Sequence, residues 1–185
     1  MALTESTMLG LGTVAPDFAL TDVVSGKVAR RDDFRGGKGL LVMFICTHCP
    51  YVKHIESELA RLGADYVESS IAMVAIGSND AVAHPDDGPD GLKRQAVAMG
   101  FRFPYLYDET QEVAKAYEAA CTPDFFLFDE DFRLVYRGQF DASRPGSGIP
   151  VTGADLRAAM DAVLAGKEVA DEQRASIGCN IKWKA

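Results

Sequence analysis

The junction at residues 39–49 constrains this chain most: Gly39-Leu-Leu-Val-Met-Phe-Ile45 runs straight into Cys46-Thr-His-Cys49. An unbroken apolar run of this length, with no alternation, reads as a strand covered on both faces. After it, Tyr51, Ile55, Leu59 and Leu62 recur at intervals of three and four, the buried stripe of a helix. Lys53, Glu56, Glu58 and Arg61 fall outside that stripe. A buried strand that hands over to an amphipathic helix is the first half of a crossover unit, and two cysteines sit in the handover.

The crossover predicts that Ile71–Ile76, a second apolar run, lies parallel to the first strand. Upstream, the stretch from Gly12 to Phe18 enters an extended segment and Asp22 to Gly26 supplies turn chemistry, which predicts an N-terminal β-hairpin. A solvated loop rich in proline and aspartate is expected over 79–91. Helices follow over 91–99 and 110–120, a hairpin pairs Phe125–Phe128 with Arg133–Tyr136, and Thr152 caps a helix to about Leu164. The expected fold class is therefore α/β, with a mixed central sheet flanked by helices and the hairpin as an extension. At 185 residues one domain over 1–185 is expected, with a loose arm over 1–12 and a polar C-terminal tail over 166–185.

Nineteen basic against 27 acidic residues give a net charge of -8, which discourages docking on nucleic acid or an anionic membrane. The expected partners are protein or small-molecule disulfides and thiols, with monomer and homodimer both open. No apolar stretch approaches the roughly 20 residues that span a bilayer. The start carries no basic segment followed by an apolar one, so the expected location is the cytoplasm.

Four cysteines are too few for a disulfide scaffold in a chain of this size, and their spacing separates a close pair from two singles. Cys46 and Cys49 across the first turn of a helix would close a small reversible disulfide, with a thiolate stabilised by the helix N-terminus. Cys46, expected to be the more exposed, is assigned as the attacking thiolate and Cys49 as the resolving thiol. A protonated His48 between them would favour the thiolate and make the pair more oxidising. Half of a zinc site, inert buried cysteines, and capture of Cu(I) or zinc by the dithiol with one imidazole are the competing readings. The redox reading needs no cofactor and no resident metal.

Ala15-Pro-Asp-Phe18, Phe44-Ile-Cys-Thr-His-Cys-Pro-Tyr-Val52, Cys121-Thr-Pro-Asp-Phe-Phe-Leu-Phe-Asp129 and Ser176-Ile-Gly-Cys-Asn-Ile-Lys-Trp-Lys184 together resemble a family of thioredoxin-fold redoxins. The likeness is to the peroxiredoxin-like branch of the alkyl hydroperoxide reductase/thiol-specific antioxidant group that carries a C-x-x-C. It implies a thioredoxin-like fold and a cis peptide between Thr122 and Pro123 facing the dithiol. It also implies that the backbone beside that proline pairs with an extended substrate segment.

Aligned on the peroxidase motif, Cys49 takes the peroxidatic position, Cys46 stands where a hydroxyl belongs, and Pro123 falls near the expected arginine. Losing both assisting groups should slow O–O cleavage. Thiol–disulfide oxidoreductase is therefore preferred, with thiol-dependent peroxidase through Cys49 as the alternative. The chain also departs from thioredoxin: no tryptophan precedes the dithiol, and the strand before Cys46 holds no acid. Cys121 and Cys179 are each a further redox thiol or, respectively, a packed residue and an exposed free cysteine in the tail.

Overall fold

The computed structural model of the protein describes residues 3–185. A short strand β1 (Leu3–Glu5) precedes the expected hairpin of β2 (Ala19–Asp22) and β3 (Val28–Arg30). The Asp22 carboxylate holds the turn, accepting from the N–H groups of Val24 and Ser25. The apolar run forms β4 (Gly39–Phe44), which leads to α1 (Pro50–Tyr66), β5 (Ile71–Gly77), α2 (Pro89–Met99) and β6 (Tyr105–Tyr107). Then come α3 (Glu112–Ala116), β7 (Cys121–Thr122), β8 (Asp124–Asp129), β9 (Leu134–Arg137), α4 (Ala154–Leu164) and β10 (Ile177–Asn180).

Seven strands make one mixed sheet in the order β3-β2-β6-β5-β4-β8-β9. As the crossover requires, β5 is parallel to β4, and the hairpin strand β8 is antiparallel on its other side. Every residue of β4 is buried because both faces of the sheet are covered. Leu41 and Met43 face the stripe Val52, Ile55, Leu59 and Leu62 of α1, together with Leu156 and Met160 of α4. Leu40, Val42 and Phe44 face Val113 and Ala114 of α3 and the rings of Tyr117, Phe126 and Phe128.

Two expectations change. The helix expected over 110–120 shrinks to α3, because Gln111 and Glu118 on either side of it take positive φ values of 64° and 51°. The Asp108 carboxylate accepts the N–H of Ala114 and anchors its start. The arm is anchored and the polar tail carries a strand: β1 pairs with β10 and β10 with β7, giving a second, three-stranded sheet. Ile181, just past β10, is buried, and its N–H donates to the Ala120 carbonyl. Of the expected arm, residues 1 and 2 lie outside the described residues. Among the described residues no helix is long and apolar enough to cross a membrane.

Candidate active site

The chain leaves β4 at Phe44, and α1 begins only at Pro50, with Cys49 as its N-cap in an extended conformation. Proline favours the first helical position and pushes the residue before it out of helical geometry. The dithiol therefore precedes the helix instead of lying across its first turn, and Cys46 belongs to the strand-to-helix turn.

Both sulfurs are closed off. Cys46 is 1% exposed and Cys49 0%, so the expected difference in exposure all but vanishes. Cys46 Sγ lies 3.4 Å from Thr122 Oγ1, and Cys49 Sγ lies 3.2 Å from the Thr122 carbonyl oxygen and 2.9 Å from Cys179 Sγ. No disulfide joins any of the four cysteines.

The two thiols are also shifted in the opposite order to that expected. The Cys49 thiol is pulled down to about 4, first by the Cys46 thiol that hydrogen-bonds to it, then by the Cys179 thiol and the N–H groups of Val52 and Cys179, against the opposing effect of burial. Cys49 makes no full capping hydrogen bond, so the Val52 N–H acts on it as a nearby dipole at a positive helix end. Cys46 is pushed well up, by its bond to Cys49, by burial and by the Asp87 carboxylate. The two thiols are thus shifted in opposite directions, Cys49 down and Cys46 up.

His48 lies against an acid as well as near Cys46. Its Nδ1 lies 2.5 Å from Asp87 Oδ2, an ion-pair approach without hydrogen-bond geometry, and its ring stacks on His84 with centroids 5.0 Å apart. Asp87 is buried in the loop read as solvated. Its carboxylate also accepts from Thr47 N–H and Oγ1 and from Asn79 Nδ2. One acid thus fixes the whole Thr47–His48 turn.

The Thr122–Pro123 bond is cis, as the resemblance implies, and Thr122 faces both sulfurs. Its backbone, however, is not open to a substrate strand: Cys179 and Asn180 of β10 pair antiparallel with Thr122 and Cys121. Gly178 permits this approach, since a Cβ there would collide with the Thr122 carbonyl. Cys179 is accordingly a buried strand residue rather than an exposed tail cysteine. Burial and its contact with Cys49 push its thiol up to about 12. Cys121 is fully buried, its sulfur faces the Pro123 carbonyl at 3.5 Å, and burial pushes its thiol far up.

The ligand atoms of Cys46, His48 and Asp87 lie within 4.8 Å of one another, a possible grip for a soft ion. Both Asp87 oxygens are already engaged by Thr47, His48 and Asn79, so a metal would have to dismantle the turn. Sequence reasoning missed three residues here. Asp87 lay in a loop dismissed as solvated, and Gln95, whose amide donates to the Cys46 carbonyl, looked like an ordinary helix residue. Asp124 was hidden inside an apolar strand; it is fully buried beside Pro123, with Oδ1 lacking a partner.

A family profile described as the AhpC/TSA family matches residues 11–137. Thiol-disulfide oxidoreductase ResA of Geobacillus kaustophilus (strain HTA426) is 28% identical over 128 residues, which covers 69% of this chain and 68% of that one. A crystal structure described as an uncharacterized conserved protein from Geobacillus kaustophilus is 56% identical, covers 100% of this chain and 97% of its own, and superposes with a TM-score of 0.97. A secreted Mycobacterium tuberculosis disulfide oxidoreductase, homologous to E. coli DsbE, is 15% identical. It covers 80% of this chain and 95% of its own with a TM-score of 0.58. The fold is the thioredoxin-like one that the sequence resembles.

Proposed function

The chain belongs to the AhpC/TSA family, and on that premise we propose that it is a thiol–disulfide oxidoreductase in which Cys46 exchanges with substrate and Cys49 leaves and returns as thiolate. The observation that carries this reading is the pair's setting: both sulfurs lie against Thr122 of the cis Thr122–Pro123 loop, with the Cys49 thiol drawn down at the helix end and the Cys46 thiol pushed up.

In the disulfide form, a substrate thiolate attacks Cys46 Sγ, the Cys46–Cys49 bond breaks, and the electron pair goes to Cys49. A thiol of low pKa leaves faster, and the contacts from Cys46, Cys179 and Val52 stabilise it on departure. Resolution of the resulting mixed disulfide by a second substrate thiol releases the oxidised product and leaves Cys46 reduced. The reverse sequence reduces a substrate disulfide, but it must begin from a protonated Cys46, so stabilisation of the reduced form makes the pair an oxidant by preference. Both directions need the cover over the sulfurs, made by Thr122, β10 and the Thr47–His48 turn, to move.

Thiol peroxidase is the second reading, favoured by the low pKa of Cys49. The test is oxidation of a reduced dithiol peptide by the oxidised protein, run beside peroxide consumption. The wild type should oxidise the peptide, Cys46→Ser and Cys49→Ser should each abolish that, and Cys46→Ser should trap no substrate. Peroxide consumption that survives in Cys46→Ser without peptide oxidation in the wild type would replace the exchange reading with the peroxidase one.

A further inference from the structure

The strand that covers the dithiol carries a sulfur of its own. We propose that Cys179 is a third redox residue: β10 sits where a substrate strand would pair with the cis-proline loop, and it presents Cys179 to Cys49 as a built-in exchange partner. This rests on the exchange reading above and adds a second disulfide state, Cys49–Cys179, to it.

Three independent features of the fold bring these sulfurs together. Antiparallel pairing sets Cys179 opposite Thr122, whose carbonyl and hydroxyl face Cys49 and Cys46. An extended segment added to a strand edge is the usual way a peptide is held for recognition, main-chain pairing giving grip and alternate side chains giving contact. Gly178 lets the backbone come closer to Thr122 than any residue with a Cβ could. The strand is then fastened past its far end, where Lys182 N–H donates to Asn79 Oδ1 and the Lys182 carbonyl accepts from Asp80 N–H. The outcome is an Sγ–Sγ separation of 2.9 Å between Cys49 and Cys179. The family match ends at residue 137, so this strand is an addition to the matched region.

The step balances without an outside oxidant. Starting from the Cys46–Cys49 disulfide, Cys179 Sγ attacks Cys49 Sγ, the Cys49–Cys179 bond forms, and the Cys46–Cys49 bond breaks. The electron pair goes to Cys46, which takes up the proton that Cys179 gives up. Three sulfurs thus share one disulfide and one thiol, and the exchange leaves the reactive Cys46 reduced while the oxidising equivalent is stored behind it. No solvent access to Cys179 is needed.

The experiment treats reduced full-length protein with oxidised glutathione and maps disulfides under non-reducing conditions. Cys46→Ser should form the Cys49–Cys179 disulfide within single chains and retain little glutathione, because Cys179 displaces it from Cys49. Gly178→Ala keeps all three thiols but lifts β10 from Thr122, so its yield of Cys49–Cys179 should fall by at least about tenfold while Cys46–Cys49 still forms. Circular dichroism reports whether that variant is folded; if it is not, Cys46→Ser alone decides. Stable glutathione on Cys49 of Cys46→Ser, with Cys179 still open to alkylation after unfolding, overturns the proposal. Failure of the wild type to oxidise the dithiol peptide would instead remove the exchange reading, so the two failures are distinguishable.

Discussion

Replacing Asp124 with asparagine should abolish a pH dependence of stability that the wild type carries. Asp124 is fully buried, its Oδ2 accepts the Ala120 N–H, and its Oδ1 has no partner. Burial, only partly offset by Ser6 and by the N–H groups of Ala120, Phe125 and Cys121, raises the carboxyl from 3.8 to about 7. The folded protein therefore binds one more proton than the unfolded chain between those values, and stability falls as pH rises through that window before levelling off above it. Roughly three pH units at 1.36 kcal/mol each amount to a loss of ~4 kcal/mol at most.

Cys49 works in the opposite direction. Its lowered thiol contributes stability that is complete above about pH 9 and is lost as pH falls towards about 4. The two slopes offset each other in the reduced wild type, so the informative quantity is the difference between Asp124→Asn and wild type. Urea unfolding from pH 4 to pH 8 should show that difference near zero at the acid end and growing in favour of the variant up to neutrality. A difference that stays flat with pH, or that grows in favour of the wild type, would refute the assignment of a protonated buried acid at this position.

Further outcomes follow from other contacts. Thiolate absorbance near 240 nm in the reduced protein should titrate with a midpoint of about 4. That step should disappear in Cys49→Ser and move upward in Cys46→Ala, which has no group left to donate to Cys49. Asp87→Asn removes the charge that raises Cys46 and unties His48. The alkylation pH profile of Cys46 should shift downward, with a stability loss of about 1–3 kcal/mol from the loosened turn. Phe126→Ala empties a site enclosed by Phe44 and Tyr117; it should cost about 3–5 kcal/mol in denaturant unfolding while leaving the Cys49 titration in place.

The handover from β4 to α1 was readable in the sequence because burial leaves a signature there: an unbroken apolar run and then a stripe of period three to four. The parallel β4–β5 pair and the hairpin of β8 and β9 followed from the same logic. The distribution of charge within the dithiol was not readable, because it depends on which side chains face which sulfur. Asp87 reaches the turn from 40 residues downstream, and Cys179 arrives from the end of the chain. Nor did composition reveal β10: Ile177-Gly-Cys-Asn180 is too short and too polar to announce a strand, and its pairing rests on Gly178 fitting against Thr122. Long-range placement of polar residues leaves no local periodicity to detect.

β10 is the middle strand of its sheet, held on one edge by β1 and on the other by β7. β1 and β7 therefore clasp β10 over the sulfurs, and Cys179 cannot withdraw from Cys49 until the clasp releases. Replacing Thr4 with proline, which breaks the β1–β10 pairing, would weaken its grip without touching a cysteine. Amide exchange at Gly178 would time each release, giving the frequency of opening separately from any chemistry that opening allows.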